Sequence, residues 1–177
     1  MKFIKWFFIT LVLLLGLLIV IGFFLPKSSH VERSITLNAS MDEVFTQVNS
    51  FQKFNQWSPW FEKDPAATYI YSGPELGVGN KMEWRSKKPE VGNGSQEIIE
   101  SIYPRYVKTR LYFGDDPEPG FAEFTIQELG PNQTKLTWGF DAEFGNNIIG
   151  RYFGVMMDGM LGPEYEKGLS TLKRMLE

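Results

Sequence analysis

Few side chains in this chain can do covalent or acid–base chemistry. There is no cysteine, so thiol nucleophiles, disulfides and Cys-ligated metals are excluded. The single histidine, His30, sits in the polar stretch PKSSH with no second base or ligand near it in sequence, and reads as a surface residue. Beyond it, neither a Ser-His-Asp arrangement nor a His-built metal site can be assembled. Glu97, Glu100, Asp158 and Glu164 could carry protons if buried. They are unpaired in sequence and read first as surface charge or helix caps. The segment GVGN at 77–80 has two glycines of a phosphate loop, but lacks the third and precedes a strand rather than a helix, so it is a turn. These residues imply no cofactor and no metal.

The other residues that stand out are aromatic. FNQWSPW, residues 54–60, sets Phe54, Trp57 and Trp60 beside a proline in a chain with 5 tryptophans. Such a run could stack on a base, rim a ligand pocket or belong to a core. Charge discriminates among these. The first 25 residues hold two lysines and no acid, which leaves 16 basic and 21 acidic residues beyond them, a formal −5. Base-stacking platforms lie in basic grooves, so nucleic acid is excluded as a partner, as is flat electrostatic docking on anionic lipid. Met156, Met157 and Met160 fit either an adaptable apolar pocket or an ordinary core.

The elements that must position these groups follow from periodicity. Val31, Arg33, Ile35 and Leu37 alternate with Glu32, Ser34 and Thr36, as in a half-buried strand. Ser40 and Glu43 then form a capping box opening a short helix, with Val44, Phe45 and Val48 on its inner side. FQKFNQWSPW continues as a second short helix or turn, stopping near Ser58 because Pro59 disfavours helical dihedrals in the residue before it. From residue 67 onward six strand-like runs are punctuated by Gly, Pro, Asn or Asp at hairpin spacing. Met82 and Trp84 share a face, as do Val107, Thr109, Leu111 and Phe113, then Ala122, Phe124 and Ile126, then Leu136, Trp138 and Phe140. Lys81, Glu83, Arg85, Lys108, Arg110 and Lys135 take the other face, which makes an antiparallel sheet with one wet side. In SQEIIESI the glutamates fall on both parities. The last stretch is helical. Ile149, Tyr152, Phe153, Met156 and Met160 form one apolar series, and Tyr165, Leu169, Leu172 and Leu176 another, with Gly162-Pro163 expected to kink or restart the helix between them. Gly150, Gly154 and Gly159 make its first half intrinsically weak.

The chain begins differently. From Trp6 to Leu25 it carries no charge, about the 20 apolar residues needed to cross a bilayer as a helix. The run ends in GFFLPKSS without a small-residue cleavage site, so an uncleaved anchor is expected; no cysteine follows, which excludes a lipoprotein. Lys2 and Lys5 against Lys27 and Arg33 put the N-terminus in the cytoplasm and the domain on the extracytoplasmic side. Residues 1–28 are thus a transmembrane anchor and linker, and 29–177 the folded domain.

The order is a strand, two short helices, six strands and a long helix. ASMDEVF after the first strand, WSPW, GVGNKMEW, LTWGF in the last strand and MDGMLGPEYEKGLSTLK in the final helix follow one another in that order. In this the chain resembles the START-like helix-grip superfamily (SRPBCC), in its polyketide cyclase/dehydrase-like branch, over residues 30–177. The resemblance implies an α+β helix-grip fold: a curved antiparallel sheet of about seven strands wrapped on the C-terminal helix. It also implies an apolar cavity between sheet and helix for a hydrophobic small molecule or lipid. No catalytic set is there to carry over. Trp57, Met82, Trp84, Leu111, Phe124, Trp138, Phe153 and Met156 are the expected cavity lining. Trp57 and Trp60 are expected chiefly to pack, fixing the crossing to the sheet, with Phe54 or Trp57 at the cavity mouth. The alternatives are an enzyme using a buried acid such as Asp158 or Glu97, and a membrane-held protein-interaction module with a filled core.

Overall fold

The computed structural model describes residues 2–177. Helix α1 (Lys2–Phe24) leads into β1 (Ser28–Leu37), α2 (Met41–Val48), α3 (Phe51–Phe54) and α4 (Pro59–Lys63). Strands β2 (Thr68–Ser72), β3 (Lys81–Arg85), β4 (Asn93–Ile102), β5 (Tyr106–Phe113), β6 (Gly120–Gly130) and β7 (Gln133–Glu143) follow, then α5 (Ile148–Leu176). The sheet has 7 strands in the order β1-β7-β6-β5-β4-β3-β2. Every neighbouring pair is antiparallel. Six strands form a meander, and β1 closes on β7. This is the helix-grip fold.

The inner face carries the core expected from the alternation. Phe124 lies opposite Trp138, Ile126 opposite Leu136 and Val31 opposite Phe140. The mixed parity of SQEIIESI has a physical cause. The register between β4 and β5 shifts between Ile98 and Glu100, so Ile99 is a bulge residue. The extra residue resets the alternation, and Glu97 and Glu100 both stay off the buried face.

Three short helices cover part of that face, one more than the sequence implies. Ser40 caps α2 by accepting from the amide of Glu43 at 3.3 Å, while Glu43 accepts from the amide of Ser40 at 2.9 Å. Pro59 does more than end a helix. It stands at the first position of α4, where a missing N–H costs nothing. The GVGN turn also acts at a distance. Gly77 and Gly79 adopt φ of +79° and +86°, which side chains resist, and Asn80 is thereby turned inward. Its buried amide oxygen accepts from the N–H of Phe51 at 2.9 Å, and its nitrogen donates to the Pro74 carbonyl at 2.7 Å. This satisfies an orphan amide of α3 and sets the angle at which Phe54 and Trp57 enter the core.

Helix α5 runs unbroken through Pro163, without the expected restart. Proline leaves the carbonyl one turn back without its intrahelical donor, and here that residue is the exposed Gly159, whose carbonyl water can reach. Along α5 the second apolar series behaves as expected, with Tyr165, Leu169 and Leu172 buried. The first does not. Arg151, Gly154 and Met157 face inward, and Ile149, Phe153, Met156 and Met160 face outward.

Helix α1 is apolar enough and long enough to span a membrane over Phe3–Phe24, and only 6% of its apolar window is buried against protein. The linker is Leu25, Pro26 and Lys27, because Ser28, Ser29 and His30 already pair in β1 with Glu143, Ala142 and Asp141.

Candidate hydrophobic ligand site

The interior between the sheet and α5 is built around Trp138, at the middle of β7. Tyr165 of α5 stacks on its indole with ring centroids 3.9 Å apart and planes 8° apart. Trp57 meets it edge-on at 5.4 Å, Phe54 at 5.5 Å and Trp60 at 5.8 Å, and Phe124 lies tilted against it at 5.3 Å with planes 34° apart. Helix α5 comes this close because Gly168 has no side chain. A Cβ there would sit 3.2 Å from Trp138 Cζ3 and 3.0 Å from Pro59 Cδ. FNQWSPW is therefore core: Phe54 and Trp57 are buried, and Trp60 packs against the same cluster.

Of the eight residues expected to line a cavity, the structure places Trp57, Met82, Trp84, Leu111, Phe124 and Trp138 together on the inner side, all buried. Phe153 and Met156 lie apart from them on the outer side of α5. The buried six are in van der Waals contact with other core residues. Two concavities lie elsewhere. One, about 380 Å³, is polar and sits at the ends of β3, β4 and β5 against Glu83, Arg85, Ser95, Tyr112 and Asp115. Of the eight, only Trp84 borders it. The other, about 270 Å³, lies between the start of α2 and the β6–β7 turn.

Several polar groups enter the interior. Gln96 donates to Thr109 Oγ1 at 2.8 Å, and Thr109 in turn donates to the Ala122 carbonyl at 3.3 Å. Asn55 donates to Tyr71 Oη at 2.8 Å and contacts Met82 Sδ at 3.1 Å. Burial pushes the Tyr165 hydroxyl well above its ordinary range, so it stays protonated. Trp57 Nε1, Trp138 Nε1 and the Tyr69 hydroxyl are buried without a hydrogen-bond partner among the described residues. Gln96, Thr109 and Asn55 escape the sequence reading of the site. The signal for two of them was available, since Gln96 and Thr109 are polar residues on the core parity of otherwise apolar strands.

Of the acids singled out for proton transfer, Glu97, Glu100 and Asp158 are not in this interior, and Glu164 is half-buried with Oε1 paired to Lys63 at 2.6 Å and Oε2 without a partner among the described residues. Asp158 is exposed and pairs with Arg33 at 2.8 Å, which holds its carboxyl below the usual range. Glu97 lies on the outer face and pairs with Arg110 at 3.2 Å. His30 is half-exposed, with Nδ1 2.7 Å from Asp141. Among the described residues no group of His, Cys, Asp and Glu is placed to hold a metal ion.

Residues 28–177 match the family model described as polyketide cyclase / dehydrase and lipid transport. The chain belongs to this family. Solved structures agree at the level of fold. A START superfamily protein from Mycobacterium smegmatis superposes with a TM-score of 0.60 at 18% identity, over 83% of this chain and 96% of that one. The Aha1 dimer from Colwellia psychrerythraea gives 0.56 at 17% identity over 84% and 96%. XoxI from Bacillus cereus gives 0.58 at 12% identity over 84% and 95%. A comparison with curated proteins found no match. Family and fold support a ligand-binding role.

Proposed function

We propose that this protein is a membrane-tethered binding protein for a hydrophobic small molecule or lipid, taken up between the sheet and α5. The observation that carries the reading is the pair of partnerless indole N–H groups of Trp57 and Trp138 in an otherwise apolar aromatic cluster. A buried donor left unpaired costs about 1–3 kcal/mol. A ligand oxygen, such as an ester, ketone or hydroxyl, relieves that cost while its hydrocarbon part replaces core contacts. Ligand sites have this composition, apolar walls with a few placed polar groups. The rings around Trp138 lie within 5.8 Å of it, centroid to centroid, so entry at this cluster requires α5 to move. Its first half, weakened by Gly150, Gly154 and Gly159, is the part able to yield. Trp57, Met82, Trp84, Leu111, Phe124 and Trp138 then form the wall, with Phe153 and Met156 at the moving rim.

Fluorescent fatty acid uptake by the purified protein tests this. Trp57→Phe and Trp138→Phe keep an apolar aromatic ring, smaller than indole, and remove the donors. Weakened uptake in folded variants supports the reading, and unchanged uptake contradicts it. The tether is α1, with the domain on the extracytoplasmic side. Protease added to intact cells or spheroplasts should digest the domain, and full protection would refute that orientation.

One observation favours a second reading, a membrane-held interaction module, namely the close packing of the aromatic cluster around Trp138. Reproducible failure to take up any apolar ligand would leave that module as the better account.

A further inference from the structure

We propose that the first half of α5 lies in the membrane interface, with Ile149, Phe153, Met156 and Met160 facing lipid. This rests on the reading of α1 as a membrane span.

These four side chains are exposed to 83%, 45%, 56% and 51%. Their spacing of four, three and four residues confines them to an arc of about 60° on one side of the helix. A soluble surface helix would carry polar groups there. From Ile148 to Met160 the charged residues are Arg151 and Asp158. Both are engaged on other faces. Asp158 pairs with Arg33 of β1, and Arg151 is buried.

The contacts of Arg151 identify what covers the stripe. Its guanidinium donates to the carbonyls of Gly22 and Phe23 at 3.3 and 3.0 Å, and to that of Gly145 at 2.6 Å. The first two belong to the last turn of α1, where carbonyls lack intrahelical donors. Tyr152 donates to the carbonyl of Leu18 at 2.6 Å, about one turn deeper in α1. Gly22 faces Ile148, and a side chain at Gly22 would collide with it. The Tyr152 ring also lies against Gly22, so the first turn of α5 packs on the last two turns of α1. The start of α5 is therefore held beside the end of the apolar span, at the level where the chain leaves it. Only Leu25, Pro26 and Lys27 separate α1 from β1. Three residues reach about 10 Å at most, which holds the sheet edge close to the same surface.

The stripe thus continues the outward surface of α1, which is bare of protein contact over nearly all its length. A surface continuous with a lipid-facing helix is itself covered by lipid. Insertion is driven by apolar burial, so the formal −5 beyond the first 25 residues does not oppose it in neutral lipid. The consequence is directional: the weak half of α5 opens towards the bilayer, and an apolar ligand passes between membrane and interior without crossing water.

The absence of cysteine permits a direct test. Full-length protein is reconstituted in phosphatidylcholine vesicles with one environment-sensitive fluorophore on Ile149→Cys or Met156→Cys. Leu13→Cys in α1 and Lys87→Cys in the β3–β4 turn are the controls. The expected result is blue-shifted emission at 149 and 156, quenched by brominated lipid chains as at 13 and shielded from aqueous iodide, with the converse at 87. Iodide quenching at 149 and 156 alongside lipid quenching at 13 overturns the proposal and leaves the anchor standing. Iodide access at 13 removes the anchor reading and this proposal together. Disulfide cross-linking of Met156→Cys to a second copy would show that protein covers the stripe, which also overturns it.

Discussion

Two glycines on α5 should respond in opposite directions to the same substitution. Gly159 has nothing within 4 Å of where a Cβ would stand. Alanine there gains the helix propensity difference, about 0.8–1.0 kcal/mol, with no steric opposition. Gly168 gains the same propensity, but its Cβ would lie 3.0 Å from Pro59 Cδ and 3.2 Å from Trp138 Cζ3. Both are ring atoms held by their surroundings and unable to rotate away. Forcing a methyl into such packing costs about 1–3 kcal/mol. The net expectation is that Gly159→Ala stabilises by about 1 kcal/mol and Gly168→Ala destabilises by roughly 0–2 kcal/mol. At this size 1 kcal/mol corresponds to about 2–4 °C in Tm. Thermal unfolding of the full chain in detergent, followed by near-UV circular dichroism of the tryptophan cluster, reads both. If the first half of α5 must loosen for a ligand to pass, Gly159→Ala also slows ligand exchange by about fivefold, because 1.4 kcal/mol is a factor of ten. Equal stabilisation by the two substitutions would refute the close approach of α5 to Trp138, and with it the geometry of the site.

Further consequences can be checked separately. Asn80→Ala removes a buried acceptor and donor and leaves the Phe51 amide unsatisfied, so the urea midpoint should fall with a loss of about 1–3 kcal/mol. His30 is the only histidine, so its ring proton resonance titrates without overlap. Its hydrogen bond to Asp141, with smaller help from Glu32 against some desolvation, raises its pKa above the ordinary 6.5. The stabilisation from this pair is complete below pH 6.5 and is lost as pH rises through the higher folded value. Asp141→Asn should bring the titration down towards the ordinary value, and an unmoved curve would deny the contact. Arg33 ties α5 to β1 through Asp158 and Glu166, so Arg33→Gln should speed amide hydrogen exchange in residues 150–162 while leaving Leu169 and Leu172 protected.

What the sequence disclosed divides along physical lines. The strands, their faces and the capping box depend on local alternation and fixed offsets, and these were legible from residue 31 to Phe140. The β4 ambiguity was itself informative, since a parity conflict between Glu97 and Glu100 is what a bulge produces. The first half of α5 misleads because 3.6-residue periodicity marks an apolar side without saying whether protein or lipid lies against it. Ile149, Phe153, Met156 and Met160 satisfy the pattern and face outward, while the buried side is made of Arg151, Gly154 and Met157. No window of sequence shows an arginine that closes on the carbonyls of Gly22 and Phe23 more than a hundred residues away. Similarly, FNQWSPW announces aromatic density, but its place around Trp138 depends on Asn80 and Gly168, both remote in sequence.

The most direct test of the central claim is native mass spectrometry of the full-length protein released from the membrane in which it was expressed. The account predicts a bound apolar species carrying at least one oxygen acceptor, retained through purification and diminished in Trp57→Phe and Trp138→Phe variants that remain folded. Repeated preparations free of any bound species, together with no uptake of added fatty acids, would contradict it.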